Sequence, residues 1–186
     1  LGLSVITQKP FTIKNIRSKR ENPGLREQHL QAVRAIKKLC DANVEGDELH
    51  STELKFIPNK INKKKLNIKI GTAGSTALVL QTLFLASLNN DLSIKIDGGG
   101  TFNRHAPSIL YLQHVFIHLL KKINCNFKID IIRNGFYPKG GAIVEAQIKK
   151  SNLEYFDVLD RGNLNKIDIY SVATSSLKNA KVAHRQ

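Results

Sequence analysis

Two arginines, Arg17 and Arg20, stand three apart in NIRSKRENPGLREQHL (15–30), ahead of a Pro23-Gly24 break and a helix-like run that contains Gln28. Guanidiniums donate paired hydrogen bonds that match phosphate oxygens, so the stretch is either an anion site or a solvated basic corner. Three glycine-rich segments raise the same choice. GTAGST (71–76) runs from a strand into a helix start, where free backbone N–H groups face an anion. It lacks the Lys-Ser/Thr ending of a P-loop, and it reads equally as a tight turn with Ser75 as N-cap. GGGTFNRHAPS (98–108) places Arg104 and His105 at a strand exit, a common ligand position, or is a loop with two exposed basic residues. NGFYPKGGA (134–142) is either a long hairpin turn or a stacking surface that offers Phe136 or Tyr137 to bases beside Lys139.

Other reactive side chains form no constellation. Of six histidines, only His114 and His118 have a helical i, i+4 spacing, and neither an H-E-x-x-H pattern nor a nearby carboxylate accompanies them. No metal site is read from the sequence, and no Ser/His/Asp order or carboxylate pair stands out. Cys40 and Cys125 belong to no C-x-x-C pair, so they read as buried free thiols in a reducing, intracellular compartment. KINKKKLNIK (60–69) holds five lysines and reads as a solvated hairpin between two strands.

The whole chain is basic: 29 Lys and Arg against 15 Asp and Glu in 186 residues, a formal charge of +14. That excess favours a polyanionic partner such as nucleic acid. The most apolar window, Ala73 to Leu88, is too short for a membrane span and is interrupted by Gln81, which fits a helix packed on a sheet. The first residues do not read as a signal peptide, lacking a basic region ahead of an apolar one, and the opening LGLSVI reads as the interior of an apolar stretch, so the chain is expected to start within a longer one.

Periodicity supplies the elements that must hold these residues. Strands are expected at 11–16, 53–58, 66–71, 92–98, 127–133 and 142–148, by β-branched and aromatic alternation. A helix should open at Pro23-Gly24 with Leu25, Ala32, Val33, Ile36, Leu39 and Cys40 on one face; others should span 75–88 and 107–123. The order restarts, setting Pro23 against Pro107, Gln28-His29 against Gln113-His114, Cys40 against Cys125, and FIPNK near FYPKG. We read an internal repeat of a β-α-β-β unit, about 1–90 and 91–150, with an extra helix between copies. The fold class is α+β, tandem repeats with helices packed on sheets. A third, incomplete repeat is expected from residue 151, with a strand at 166–173 and the first turns of a helix at 175–186.

The ordered set IRSKRENPGLREQHLQAV, VEGDELHSTELKFIP, GTAGSTALVLQT, GGGTFNRHAPSILYL and GFYPKGG resembles the RNA 3'-terminal phosphate cyclases. RENPGLREQHL and GSTALVLQT are more similar to the true cyclases than to the cyclase-like ribosome-biogenesis paralogues. The resemblance implies repeats like the C-terminal domain of translation initiation factor 3, with an inserted domain following 151–186. It also implies ATP and a divalent metal (Mg or Mn) as cofactors and an RNA 3'-phosphate end as substrate. The RNA end becomes a 2',3'-cyclic phosphate through adenylylated enzyme and RNA, releasing AMP and diphosphate. By position, Arg17, Arg20 and Gln28 match the family's phosphate contacts, and Gln81 and Pro107 its adenylate contacts. Ala142 stands where the family has a further glycine. The family's E-G-G-G-Q segment is expected before Leu1 and its nucleophilic histidine beyond Gln186, so no catalytic residue is expected in this chain. The compartment implied is the nucleus for a eukaryotic source, otherwise the cytoplasm. The competing readings are a non-catalytic cyclase-like RNA-binding factor in ribosome biogenesis and a free-standing basic RNA-binding module.

Overall fold

The computed structural model describes residues 1–104, 106–160 and 162–174. Leu1–Glu154 forms one compact unit and Tyr155–Gln186 a second. In the first unit a short helix, α1 (Gly2–Thr7), leads to β1 (Phe11–Ile13), which pairs antiparallel with β3 (Leu54–Ile57). β2 (Asn43–Glu45) covers the other edge of β3, and α2 (Glu27–Cys40) connects β1 to β2. A second sheet has the order β4-β5-β7-β6, from β4 (Lys65–Ser75), β5 (Leu92–Gly100), β6 (Phe127–Arg133) and β7 (Ile143–Ile148). β4 and β5 run parallel, joined by α3 (Thr76–Ala86), while β5, β7 and β6 pair antiparallel. The β5–β6 connection is α4 (Ile109–Tyr111), a π-helical segment (Leu112–Phe116) and α5 (Ile117–Lys122).

Burial explains the layering. In β4, β5 and β7 every second side chain is buried, so each strand has one wet face and one covered face. Leu66, Ile68, Ile70, Ile94, Ile96 and Val144 meet the buried faces of the helices: Ile36 and Leu39 from α2, Leu80 and Leu83 from α3, Leu112 from the π-helical segment. Each such side chain contributes about 1.5–3 kcal/mol when taken fully out of water. This is the α+β arrangement expected from the sequence. α3 is apolar over most of its surface because it packs against both α1 and α2. Among the described residues no helix is long and apolar enough to cross a membrane.

Both sheets place three successive strands alike, with the third in the middle: β1-β3-β2 and β5-β7-β6. Several sequence equivalences shift within that frame. LNIKIG was expected to complete the first unit, with the lysine-rich run as a hairpin; instead β3 and β4 lie in different sheets, and the run is a crossing connection. The left-handed residues that end the helices, Asp41 and Asn124, are equivalent points, so Cys40 corresponds to Ile123 rather than to Cys125. From cap to left-handed residue the second helix is one residue longer, Ser108 to Asn124 against Arg26 to Asp41. A π-helical turn absorbs one inserted residue, and the segment Leu112–Phe116 sits where that is needed. FIPNK leaves β3, whereas FYPKG turns β6 into β7, so their likeness has no counterpart in the topology. α1 and β2 went unread: each is short, and β2 carries one apolar residue.

In the second unit, residues 155–160 and 162–174 carry neither helix nor strand, including the stretch 166–173 expected to be a strand. Local polar contacts are what these residues show, such as Tyr155 Oη donating to Asp157 Oδ2 at 3.0 Å and an ion pair of Lys166 with Asp168 at 2.8 Å. The helix expected at 175–186 lies outside the described residues.

Gly98 adopts φ +95°, and a Cβ there would collide with the Ile70 carbonyl oxygen of the neighbouring strand. Gly71 has open space around it. We therefore expect Gly98→Ala to lower unfolding free energy by more than about 2 kcal/mol and Gly71→Ala by less than about 0.5 kcal/mol. Urea unfolding of the two variants checks this; equal midpoints would contradict the packing described.

Candidate functional site

The three glycine-rich segments, separate in sequence, meet at one place. Gly98 N–H donates to Ala142 O (2.7 Å), and Ala142 N–H returns a bond to Gly99 O (3.1 Å). Thr101 N–H donates to Gly135 O (2.9 Å), and Gly135 N–H to Thr101 Oγ1 (3.2 Å). From GTAGST, Thr76 Oγ1 donates to Gly100 O (2.9 Å), and Ala73 O accepts from Asn103 Nδ2 (2.5 Å). Ser75 caps α3 by accepting from Leu78 N–H (3.3 Å), as the turn reading of GTAGST expects. NGFYPKGGA is the β6–β7 turn, closed by Gly140 N–H to Phe136 O (2.7 Å). The Ala142 departure is accommodated: the residue is fully buried with its N–H and C=O bonded.

Beside this junction lies a cleft of 780 Å³ between β1, α2 and α3, lined by Arg17, Gln28, His29, Gln81 and Thr82 among apolar side chains such as Leu25, Val33 and Leu78. The structure thus brings three of the five expected binding residues, Arg17, Gln28 and Gln81, to one cavity. Arg20 is exposed on the loop after β1, and Pro107 is half-buried ahead of α4; neither lines this cleft. Arg17 is half-buried at φ +52°, and its Nη1 donates to Asn22 O (2.8 Å) and Gly24 O (3.0 Å). A guanidinium has five N–H donors, so Arg17 holds its own loop with two and keeps three for a ligand.

A second cleft, of 410 Å³, adjoins the glycine junction and is lined by Arg26, Gln28, His50, Thr72, Asn103 and Tyr137 among others. Gln28 lines both clefts. The two aromatics of NGFYPKGGA diverge: Phe136 stacks on Phe102 with centroids 5.8 Å apart, whereas Tyr137 is 86% exposed. Only the first belongs to the packing. Arg26, His50 and Asn103 carried no separate signal, because a cleft made from α2, the loop before β3 and the β5 exit exists only after folding.

Elsewhere some basic residues have structural partners. In the lysine run, Lys63 donates to Lys38 O (2.5 Å) and pairs with Asp41, whose carboxyl the Lys63 and Asn62 hydrogen bonds hold below its usual range. Arg104 is exposed, and His105 lies outside the described residues. His114 and His118 are exposed, and among the described residues no group of three or more His, Cys, Asp or Glu could hold a metal. Cys40 and Cys125 are free and buried, and burial pushes both thiols up.

His29, which belongs to no histidine constellation in the sequence, has a specific role at the cleft wall. Its Nδ1 accepts the Arg26 backbone N–H at 3.2 Å, satisfying a donor at the start of α2, which requires that nitrogen to be unprotonated. Partial burial, then the charges of Arg17 and Arg26, push His29 below its ordinary value of 6.5. As pH falls below 6.5, the unfolded chain takes up a proton at this site that the native state refuses. The stabilisation is complete above that value and is lost from there down toward the native pKa. His29→Gln keeps an acceptor without a titration, so the unsubstituted chain should lose more of its urea midpoint than this variant between pH 7.5 and 5.5. Parallel losses in the two proteins would remove His29 from this role.

Comparison with known proteins places the chain. The family model described as RNA 3'-terminal phosphate cyclase matches residues 1–178. The protein of that name from Saccharolobus solfataricus is 43% identical over 187 aligned positions, covering 100% of this chain and 55% of the relative. Its namesakes from Methanococcoides burtonii and Sulfurisphaera tokodaii are 42% and 40% identical, with 100% of this chain and 55% and 54% of the relatives covered. The chain spans about half the length of the curated relatives it matches. On this match over nearly its whole length, the chain belongs to the RNA 3'-terminal phosphate cyclase family.

Proposed function

We propose that this chain is the part of an RNA 3'-phosphate cyclase that grips the RNA end and the adenylate, in a reaction that makes a 2',3'-cyclic phosphate at the cost of ATP. The observation that carries it is the convergence of Arg17, Gln28 and Gln81 on one cleft. In this reading Arg17, Arg20 and Gln28 hold phosphate oxygens, while Gln81 and Pro107 hold the adenylate. The cleft is built for such a ligand, since apolar walls from Leu25, Val33 and Leu78 accept a nucleobase and a few polar groups at one side fix its orientation. Its 780 Å³ lies within the roughly 300–1,000 Å³ of ordinary ligand sites.

The chemistry asks for cations. An adenylyl group passes from ATP to an enzyme histidine and then to the RNA 3'-phosphate, with diphosphate leaving in the first transfer. The neighbouring 2'-OH then forms its bond to the terminal phosphorus as the bond to AMP breaks. Negative charge accumulates on non-bridging oxygens in each transfer, and pre-oriented guanidinium donors stabilise it there. Arg17 is already oriented by its bonds to Asn22 O and Gly24 O, so it needs little rearrangement when phosphate arrives. Mg or Mn, when bound, supplies further charge neutralisation at the phosphates; no residue of this chain is assigned as its ligand.

The nucleophilic histidine is proposed to be none of the six in this chain. Residues 151–186 are proposed to begin a third repeat that leads into an inserted domain. The compartment in this reading is the cytoplasm for an archaeal source, like the relatives compared, and the nucleus for a eukaryotic one. The non-catalytic alternative gains no support from the names of those relatives, each of which is a cyclase.

Two measurements test the proposal. The chain should bind an oligoribonucleotide ending in a 3'-phosphate about tenfold more tightly than its 3'-hydroxyl counterpart, as one charge-assisted contact of about 1.5–3 kcal/mol would give. Arg20→Ala, at an exposed site, should narrow that ratio toward one without lowering the unfolding midpoint; equal affinity for both ends in the unsubstituted chain would overturn the reading. Incubation with labelled ATP and Mg or Mn should leave the protein without covalent label. Adenylylation of any of the six histidines, located by mass spectrometry, would overturn their exclusion.

A further inference from the structure

We infer that the 410 Å³ cleft of Arg26, His50, Asn103 and Tyr137 is a subsite for the nucleotide just upstream of an RNA 3' end, its base on the Tyr137 ring and its phosphate on Arg26. The inference rests on the reading of the neighbouring cleft as the holder of the terminal phosphate. Four observations support it, each of a different kind.

Tyr137 is the first. A ring that is 86% exposed gains little for the fold, while its neighbour Phe136 is stacked on Phe102 and so unavailable to a ligand. Stacking on an exposed ring is how proteins hold single-stranded bases without regard to sequence. The second is charge. Arg26 Nη1 and His50 Nδ1, both in the cleft lining, lie 3.5 Å apart, and Glu27, the carboxylate that also lines the cleft, accepts from Gln31 Nε2 at 2.6 Å. Arg26 is thus the one arginine or lysine among the described residues that line the cleft.

The third is an orphaned acceptor. Asn103 Nδ2 donates to Ala73 O, but its Oδ1 is buried without a hydrogen-bond partner among the described residues. A buried acceptor left unpaired costs about 1–3 kcal/mol, which a ribose hydroxyl or a base N–H would relieve. The fourth is continuity. Gln28 lines both clefts, so a strand whose terminal phosphate sits beside Arg17 would reach the second cleft past Gln28. The cleft is also of a size to hold one, inside the roughly 300–1,000 Å³ typical of ligand sites.

The test uses this chain and a fluorescein-labelled single-stranded hexaribonucleotide with a 3'-phosphate, followed by anisotropy. Tyr137→Ala should weaken binding about 5- to 150-fold, the equivalent of one lost base stack, and Tyr137→Phe should bind like the unsubstituted chain. Arg26→Ala should reduce the slope of log affinity against log salt by about 0.7, the signature of one released counterion on a single strand. Tyr137 is exposed, so its substitution leaves the unfolding midpoint unchanged. The same losses are expected with a 3'-hydroxyl strand, which separates this subsite from the terminal phosphate site. Unchanged affinity in Tyr137→Ala, a loss in Tyr137→Phe as large as in Tyr137→Ala, or no saturable binding by the unsubstituted chain would each overturn the inference.

Discussion

Carbonyl oxygens of Ile70, Thr72 and Gly74 lie against the α-carbons of Gly98, Gly140 and Gly99, so that β4, β5 and the β6–β7 turn touch backbone to backbone. A Cβ at Gly99 would come within 2.8 Å of Gly74 O, and one at Gly140 within 2.7 Å of Thr72 O. Three chain segments far apart in sequence are thereby pinned at one point, with Thr76, Thr101 and Asn103 supplying the side-chain hydrogen bonds around it. Two of the residues placed near the clefts inherit their positions from this junction. α3 starts from it, which sets Gln81, and the turn from β6 to β7 carries Tyr137.

The glycines therefore act by letting peptide groups approach, rather than by presenting N–H groups to an anion. Their amides are largely spent: Gly98 and Gly140 donate to backbone carbonyls, and Gly135 donates to Thr101 Oγ1. GTAGST is read from sequence as a phosphate loop or a strand–helix turn, and the cap bond from Leu78 N–H to Ser75 Oγ is the one the turn reading calls for. Function moves from the loops to the side chains they position. Position 142 accepts an alanine because its neighbour Gly135 carries no Cβ to meet it, and both its backbone bonds persist.

Alternation and helical stripes carried the fold class, the longer strands and the two large helices, because each of those depends on which face a nearby residue turns to the core. Ala32, Val33, Ile36 and Leu39 announce α2 by their spacing, and all are buried. What stayed hidden depends on pairing across distance. The strand 66–71 looks like a partner for 53–58, yet Leu66 pairs with Ile94 and Ile68 with Ile96. Nothing local distinguishes those choices. A π-helical turn likewise leaves no mark on a pattern of apolar residues, so the sequence equivalence of Cys40 with Cys125 drifted by two positions from that of the caps. Of the site residues, Arg17, Gln28 and Gln81 came through resemblance; their sharing of a cleft is a property of α2 packed on α3.

The loop from Asn15 to Gly24 shows how the basic corner is held in readiness. Asn15 and Arg17 both adopt positive φ, at +57° and +52°, a conformation that costs a residue with a side chain roughly 1–2 kcal/mol. The loop offsets that strain through Ile16 N–H to Thr52 O (2.9 Å), Gly24 N–H to Ile16 O (2.8 Å), and the two bonds from Arg17 Nη1. An arginine merely solvated would need neither the strained backbone nor the carbonyl contacts. Its fixed charge also reaches α2, where it helps keep His29 neutral and so leaves the Nδ1 acceptor for the Arg26 N–H. Arg17 thus links the loop to the helix start electrostatically, and an anion bound beside it would ease the penalty on protonating His29. An anion at the cleft and a proton at the helix cap would be coupled in sign: the anion would favour the charged imidazole, and low pH would favour the anion.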